Sequence, residues 1–431
     1  MTRIRPIAVV TLAVCLATLF ASPHPAAAQQ RSFEEVVAQL KSPEARTRQA
    51  AVRMLAESGY PEAALPVAPL LADPDERVAR EAVYAELGLF LGTRVEGERR
   101  VAAVVQIRNG NPAARAFDGG WGVLPLDPVP PAVTRGMIAP GASPELTLRL
   151  EATYALALLA QIEGTPAPEH QAVAAALAER LGDREPAARA AAARAAGRVF
   201  RRCAAPCTGV DRERLGDALV RSLNDPDADV LMAVIEGLGE MRYERGAQPL
   251  TDFYNYQKKG PLALASLDAL ARIGQPESVP VFRAALTRKE PAALRAAVEG
   301  LARAGDKESV ASAAIALGRE RNAEVSLGLA FAQQRLGQAQ QLDRLIQAAG
   351  ERASSLQAQD YLVELGPSVA GQVAGVLPAA SAEGRLRLVE VLGVIGGAEQ
   401  LPALQAAQRD GPSATAAASE RAVRRVKAFG K

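Results

Sequence analysis

Histidine is almost missing from this 431-residue chain, which holds two, along with three cysteines and a single tryptophan. That scarcity removes most nucleophile-and-base pairs and nearly every zinc site, since both need imidazole or thiolate side chains in number. Also absent are a Gly-x-Ser-x-Gly elbow, a Ser-x-x-Lys pair, a His-Glu-x-x-His helix and a phosphate-binding Gly-Lys loop. His170, in Pro166-Ala-Pro-Glu-His170, stands at an expected helix start and reads as an exposed or capping residue. Carboxylate-only catalysis has 48 acids to draw on, but nothing in the spacing converges them on a cleft. The expectation is a protein without catalytic residues, cofactor or metal.

Charge of one sign is missing as well. Fifty basic residues face 48 acidic ones, which leaves no basic stripe to displace counterions from nucleic acid and no cationic face for anionic membranes. Lysine is scarce, seven against 43 arginines, a bias that suits a GC-rich bacterial genome. Beyond the first thirty residues no apolar run approaches the 18 or so needed to span a bilayer. Those thirty have a layout of their own. Arg3 and Arg5 precede the apolar stretch Ile7–Phe20, Pro23 and Pro25 break it, and Ala26-Ala27-Ala28 offers small residues before Gln29. This is the pattern of a secretory signal cleaved after residue 28, with no stable membrane insertion afterwards. Cys15 lies inside the apolar stretch behind Val14, which does not suit lipidation. The expected destination is the periplasm or the extracellular space. There, Cys203 and Cys207, in Cys203-Ala-Ala-Pro-Cys207, are most simply read as a disulfide.

Aromatic residues make up only 4%, and alanine abounds, as expected where helices approach one another closely. What the chain does have is repetition. Leu270-Ala-Arg-Ile-Gly274, Leu301-Ala-Arg-Ala-Gly305, Gln334-Arg-Leu-Gly337, Leu362-Val-Glu-Leu-Gly366 and Leu392-Gly-Val-Ile-Gly396 end on glycines 31, 32, 29 and 30 residues apart. Gly59 and Gly88 repeat the signal upstream. A glycine just past a helix takes the left-handed conformation that ends it without steric cost. Between glycines, Ser42-Pro43-Glu44, Asp73-Pro74-Asp75-Glu76 and Asp225-Pro226-Asp227 read as a capping side chain directly before Pro at the first helical position, with a capping box from Asp73 to Glu76. Apolar residues recur at three and four: Val279, Phe282, Ala285 and Leu286, then Leu294, Ala297, Val298 and Leu301. Helix, capped turn, helix and glycine, repeated every thirty-odd residues, predict an all-α fold: a right-handed α-solenoid of about eleven stacked helix pairs with one irregular insertion.

At these residues the chain resembles HEAT repeats, including the variety shared with phycobilin-lyase-like proteins. Asp73-Pro-Asp-Glu-Arg-Val78-Ala-Arg80-Glu-Ala82-Val83 carries the turn aspartate, the second-helix valine and arginine, and the Ala-Val pair. Asn224–Gly239 and Asp183–Gly197 repeat it with departures: Leu231-Met232 replaces the arginine in one, and alanine stands for valine in the other. The resemblance covers roughly residues 32–92 and 146–430. It implies an armadillo-like solenoid in which turn aspartate and helix arginine pair between neighbouring repeats, a part that falls to Asp75 and Arg80 in this chain.

The expected divisions are the signal at 1–28, repeats at 29–92, a Pro/Gly-rich insertion at 93–145, and a repeat array with a C-terminal cap at 146–431. The insertion begins with a possible helix near Glu98–Arg108. Beyond it Pro125, Pro128, Pro130, Pro131 and Pro140 exclude helix. Phe117 and Trp121, set among glycines, are either anchors of a loop laid along the concave face or a plug for adjacent helices. Removing 93–145 is expected to leave the helical fold intact. In Phe253–Lys259, Tyr256 with Lys258 and Lys259 forms a second candidate contact on the wet side. Arg421, Arg424, Arg425 and Lys427 give the last helix a polar face suited to a cap. The function expected is a non-catalytic scaffold for a protein or peptide, the alternative a small-ligand-binding or lyase-like repeat protein. An apolar pocket favours the second and an open charged groove the first.

Overall fold

A computed structural model describes residues 32–92, 98–102, 105–108, 111–119, 122–161, 168–201 and 209–429. The signal segment 1–28, Trp121, Cys203 and Cys207 all lie outside the described residues. The described chain is a stack of helix pairs. Helices α1 (Phe33–Gln39) and α2 (Ala45–Ser58) make the first pair; α3 (Ala64–Val67), flanked by 3-10 turns, and α4 (Glu76–Leu91) make the second. A short antiparallel hairpin, β1 (Glu98–Ala102) and β2 (Val105–Arg108), and helix α5 (Pro112–Asp118) follow. The third and fourth pairs are α6 (Pro131–Gly136) with α7 (Leu146–Leu159), and α8 (Pro168–Arg180) with α9 (Pro186–Phe200). Next come α10 (Val210–Arg221) with α11 (Ala228–Glu240), and α12 (Ala247–Gln257) with α13 (Pro261–Ile273). The seventh and eighth pairs are α14 (Val279–Ala285) with α15 (Pro291–Arg303), and α16 (Lys307–Ala316) with α17 (Ala323–Arg335). The stack ends with α18 (Leu342–Ala348) and α19 (Ser355–Leu365), α20 (Ala370–Val376) and α21 (Ala382–Ile395), and α22 (Leu401–Asp410) and α23 (Ser413–Phe429). Eleven pairs in series form an α-solenoid, as the repeat spacing predicts.

Second helices pack on second helices along the whole stack, from α2 on α4 to α21 on α23, and form the inner layer. The packing is close because the contact positions are small. A Cβ on Gly237 of α11 would stand 2.5 Å from the Ala193 carbonyl oxygen of α9, so only glycine lets these backbones approach. Gly237→Ala is therefore expected to cost about 1–3 kcal/mol, the usual range for overpacking a core, despite alanine's better helix propensity. A urea titration followed by circular dichroism checks this; a stabilised variant would contradict the packing argument.

Several local expectations need correction. Gly59, Gly274, Gly305, Gly337 and Gly366 have positive φ at helix ends, as expected. Gly88, however, lies inside α4, and Gly92 takes its capping role at φ 60°; Gly396 is extended at φ −75°. Helices α2, α4 and α11 begin two residues later than expected, with Glu44, Asp75 and Asp227 as N-caps and proline just outside. Asp73 is thus no capping-box residue. It accepts the Asp75 N–H in a local turn and receives Arg48 of the previous pair in a bidentate contact at 2.7 Å. Nor do Asp75 and Arg80 pair. Asp75 is taken by Arg77 beside it, and Arg80 reaches Glu145 of the next pair at 3.5 Å.

The real ladder runs through Arg48, Arg149 and Arg189. Each arginine donates to two carbonyls of its own turn and then to the turn aspartate of the following pair: Asp73, Asp183 and Asp225. One guanidinium thus closes a turn and sets the stagger between neighbours.

The insertion also differs from its reading. Glu98–Ala102 and Val105–Arg108 are paired strands rather than helix, in keeping with the β-branched Val101, Val105 and Ile107 in their sequence. Helix does occur among the prolines, since Pro112 and Pro131 occupy first helical positions where the missing N–H is harmless. Pro131–Ala142 is the first helical segment of the third pair, with Val133 and Met137 fully buried. Deleting 93–145 would therefore remove core, and the expectation that the fold tolerates it is withdrawn.

Candidate functional site

The array curls until distant pairs meet. At the end of α9, Arg201 pairs with Asp360 of α19 at 2.9 Å, across 159 residues of sequence. Arg242, just after α11, and Arg303 of α15 both reach Glu364 of α19, at 3.0 and 2.9 Å. These contacts belong to a spine of charge along the inner layer. Glu240 bridges Arg201 and Arg272; Asp268 bridges Arg272 and Arg295; Glu299 bridges Arg295 and Arg303; Glu364 collects Arg303, Arg242 and Arg335. Burial opposes ionisation at Glu364, but the three guanidinium groups outweigh it and hold its carboxyl down at about 2. Burial likewise opposes, and Arg272 and Arg295 overcome, the same effect at Asp268, which also titrates below its ordinary range. The Tyr361 hydroxyl donates to Glu299, and its ring stacks on Phe331 at 4.3 Å.

Across this interior lies the segment Val123–Asp127. Two arginines hold it by its main chain: Arg198 of α9 donates to the Val123 carbonyl at 2.8 Å, and Arg425 of α23 donates to the Pro125 carbonyl. The Leu126 N–H donates to the Phe90 carbonyl at the end of α4, at 2.8 Å. Asp127 pairs with Arg424 of α23. Leu124 and Leu126 are 5% and 7% exposed. Leu124 joins the apolar cluster of the C-terminal pairs, whose other buried members all come from Leu327 onward, while Leu126 sits over the α4 cap, where a Cβ on Gly92 would stand 2.6 Å from it. One irregular stretch of chain, bent at Leu126 and Asp127, thus ties the second, fourth and eleventh pairs together.

The candidates read from sequence distribute unevenly around this strap. Phe117 is half-buried, with its ring 5.1 Å from Tyr154 of α7 and the Arg198 guanidinium 5.8 Å away, in the position of a plug. Tyr256 is 81% exposed, with Lys258 and Lys259 exposed beside it at the end of α12, far along the chain from the strap contacts. Phe253 and Tyr254 pack on the core, and the Tyr254 hydroxyl accepts from Arg288. His170 is half-buried at the start of α8. Arg421 and Lys427 face water, whereas Arg424 and Arg425 turn inward to the strap, so the basic run on α23 is split between two tasks. Sequence reading passed over Leu124, Leu126 and Asp127. Their signal was the alternation of leucine with proline in Leu124-Pro-Leu-Asp127, which suits an extended chain with two apolar side chains to bury.

Two buried acids stand apart. Burial pushes the Glu151 carboxyl on α7 up to about 7, eased by the Ala113 N–H it accepts at 2.7 Å from α5. Burial raises Glu86 on α4 well above its ordinary value, and among the described residues neither of its oxygens has a hydrogen-bond partner. Both sit within packed helices, Glu151 within the field of Arg80, Arg115 and Glu145. Among the described residues no cluster of three or more His, Cys, Asp or Glu could hold a metal ion.

Residues 18–112 and 174–260 match the sequence profile of a family described as HEAT repeats. No curated protein matches the chain in sequence. Among solved structures, an engineered protein is similar over 92% of this chain and 98% of its own, at 17% identity and a TM-score of 0.37. A designed armadillo repeat protein, solved in complex with the peptide (KR)4, is similar over 63% of this chain and 99% of its own, at 16% identity and a TM-score of 0.36. With eleven consecutive helix pairs among its described residues the chain is an α-solenoid, and its two matched stretches are similar to HEAT repeats.

Proposed function

We propose that this solenoid is a non-catalytic scaffold that binds a polypeptide and works in the periplasm or the extracellular space. The observation that carries the proposal is the strap: the inner layer already accommodates a non-helical stretch of protein chain, and holds it chiefly by main-chain carbonyls and two leucines. A surface that satisfies peptide carbonyls with guanidinium donors suits polypeptide better than a small apolar ligand. The charged spine beside it supports the same choice, since a pocket for a small ligand is lined mostly by apolar groups. The location rests on the layout of residues 1–28, and it agrees with the described helices, none of which is long and apolar enough to cross a membrane.

Affinity capture of the tagged native protein from its own cell envelope, with mass spectrometry of what is retained, tests the reading. A polypeptide held in stoichiometric amount by the native chain, and lost from an Arg198→Ala variant that keeps its helical spectrum, is the expected result. A bound small molecule with no polypeptide would overturn it. The same sample tests export: its N-terminus should begin at or near Gln29, and an intact Met1 would remove the signal reading.

A further inference from the structure

We infer that Val123–Asp127 is an intramolecular occupant of an exchangeable peptide site. The site would take, from another polypeptide, a non-helical segment with two apolar residues around a proline, followed by a carboxylate. This rests on the scaffold reading and gives its partner a chemistry.

The contacts of the strap show what the site reads. The Val123 and Pro125 carbonyls are met by Arg198 and Arg425, the Leu126 N–H by the Phe90 carbonyl, and the Asp127 carboxylate by Arg424. Main-chain recognition of this kind is indifferent to side chains, so selectivity falls on Leu124, Leu126 and the carboxylate. Proline suits the arrangement twice. Pro125 and Pro128 bring no N–H that the interior would have to satisfy, and they hold the chain extended before it binds, which reduces the ordering cost.

The strap is also built to leave. On one side α5 is secured on α7, with the Ala113 N–H bound to Glu151; on the other, Pro131 begins the first helix of the third pair, with Val133 and Met137 in the core. Residues 122–130 can therefore detach without unravelling a helix at either end. The receiving groups come from α4, α9 and α23, three elements that stay folded in the stack. While the strap is in place, its effective concentration at the site is on the order of millimolar, so a free peptide of micromolar affinity is excluded. A partner must either displace the strap or meet a molecule in which it has opened.

The probe is a fluorescein-labelled synthetic peptide with the sequence of residues 119–131, titrated onto the full-length protein by fluorescence anisotropy. The receiving protein carries Leu124→Asp, Leu126→Asp and Asp127→Arg together. These changes release the strap while Arg198, Arg424 and Arg425 remain in place. The expected result is micromolar binding to this variant, at least tenfold tighter than to the unaltered protein. It should be lost when the peptide itself carries the two Leu→Asp changes. If the triple variant loses its helical spectrum, Asp127→Ala, which removes only the partner of Arg424, serves instead, and tighter binding than to the unaltered protein is again expected. Peptide bound by neither protein, by both equally, or regardless of its leucines overturns the inference. Envelope capture of a polypeptide alongside such a failure would leave the scaffold reading standing without this site.

Discussion

Glu364→Ala is expected to destabilise the centre of the solenoid by about 3–5 kcal/mol, the range found when one partner of a buried ion pair is removed. The carboxylate receives Arg303 at 2.9 Å, Arg242 at 3.0 Å and Arg335 at 3.4 Å, and the Arg303 side chain is 5% exposed. Alanine would leave the Arg303 guanidinium in a site closed to water with Glu299 as its counter-ion, beside the Ala271 carbonyl and the Phe331 ring. The loss should exceed that of a surface pair, typically below about 1 kcal/mol, because the stranded charge cannot rehydrate. The pH dependence gives a second reading. Glu364 titrates at about 2 in the folded protein against an ordinary 4.5, so the stability it lends is complete above about pH 4.5 and disappears as pH falls toward 2. The gap between native protein and variant should therefore close in acid. Hydrogen exchange of α15 and α19 is the measurement, since a repeat array need not unfold as one unit. A variant within about 1 kcal/mol of the native protein at pH 7 would show that the spine is only a surface network.

This spine was half visible in the sequence. The segments that betray the repeat, Leu270–Gly274, Leu301–Gly305 and Gln334–Gly337, draw attention to their glycines, yet each carries an arginine two residues earlier: Arg272, Arg303 and Arg335. Those arginines face inward along the spine. Periodicity showed that they share a position in the repeat, but not what they meet. Glu364 lies 61 residues beyond Arg303, and Asp360 lies 159 beyond Arg201. Such distances are set by the curvature of the whole stack, a sum of small rotations at every pair that no local pattern encodes.

Local chemistry was legible where one residue decides the backbone, as at Gly59 or Gly274. It misled where two residues compete for one job. In Asp73-Pro74-Asp75 either aspartate could cap; Asp75 does, which frees Asp73 for Arg48 of the preceding pair. The insertion misled for a related reason. The run of prolines from Pro125 to Pro140 reads as a signal against helix, yet at Pro131 proline starts one. The strap itself is decided by its ends, the α4 cap at Gly92 and the inward turn of Arg424 and Arg425, which are close only in the folded molecule.

Glu86 points to a change that should stabilise the protein. Its side chain is fully buried on α4 and among the described residues neither oxygen has a partner, so the group is held at the cost of an unsatisfied polar burial, about 1–3 kcal/mol. Leucine, of similar size, removes that cost, and Glu86→Leu is expected to be more stable by an amount of that order at pH 4–5. The gain should then grow with pH. Burial raises the folded-state pKa of Glu86 well above its ordinary 4.5, so above that pH the unfolded chain gives up a proton that the folded chain keeps. The folded state binds more protons, and native stability falls by up to about 1.4 kcal/mol per pH unit until the folded-state pKa is reached. Glu86→Leu escapes this decline, and Glu86→Gln, which keeps the shape and a polar head, escapes only the part that depends on pH. Glu151 titrates in all three proteins, and its contribution cancels in the differences. Urea midpoints at pH 5, 6 and 7 would resolve the trend. A leucine variant less stable than the native protein, or a difference that stays flat across that range, would mean that Glu86 is ionised in the fold and paired with a charge that compensates it.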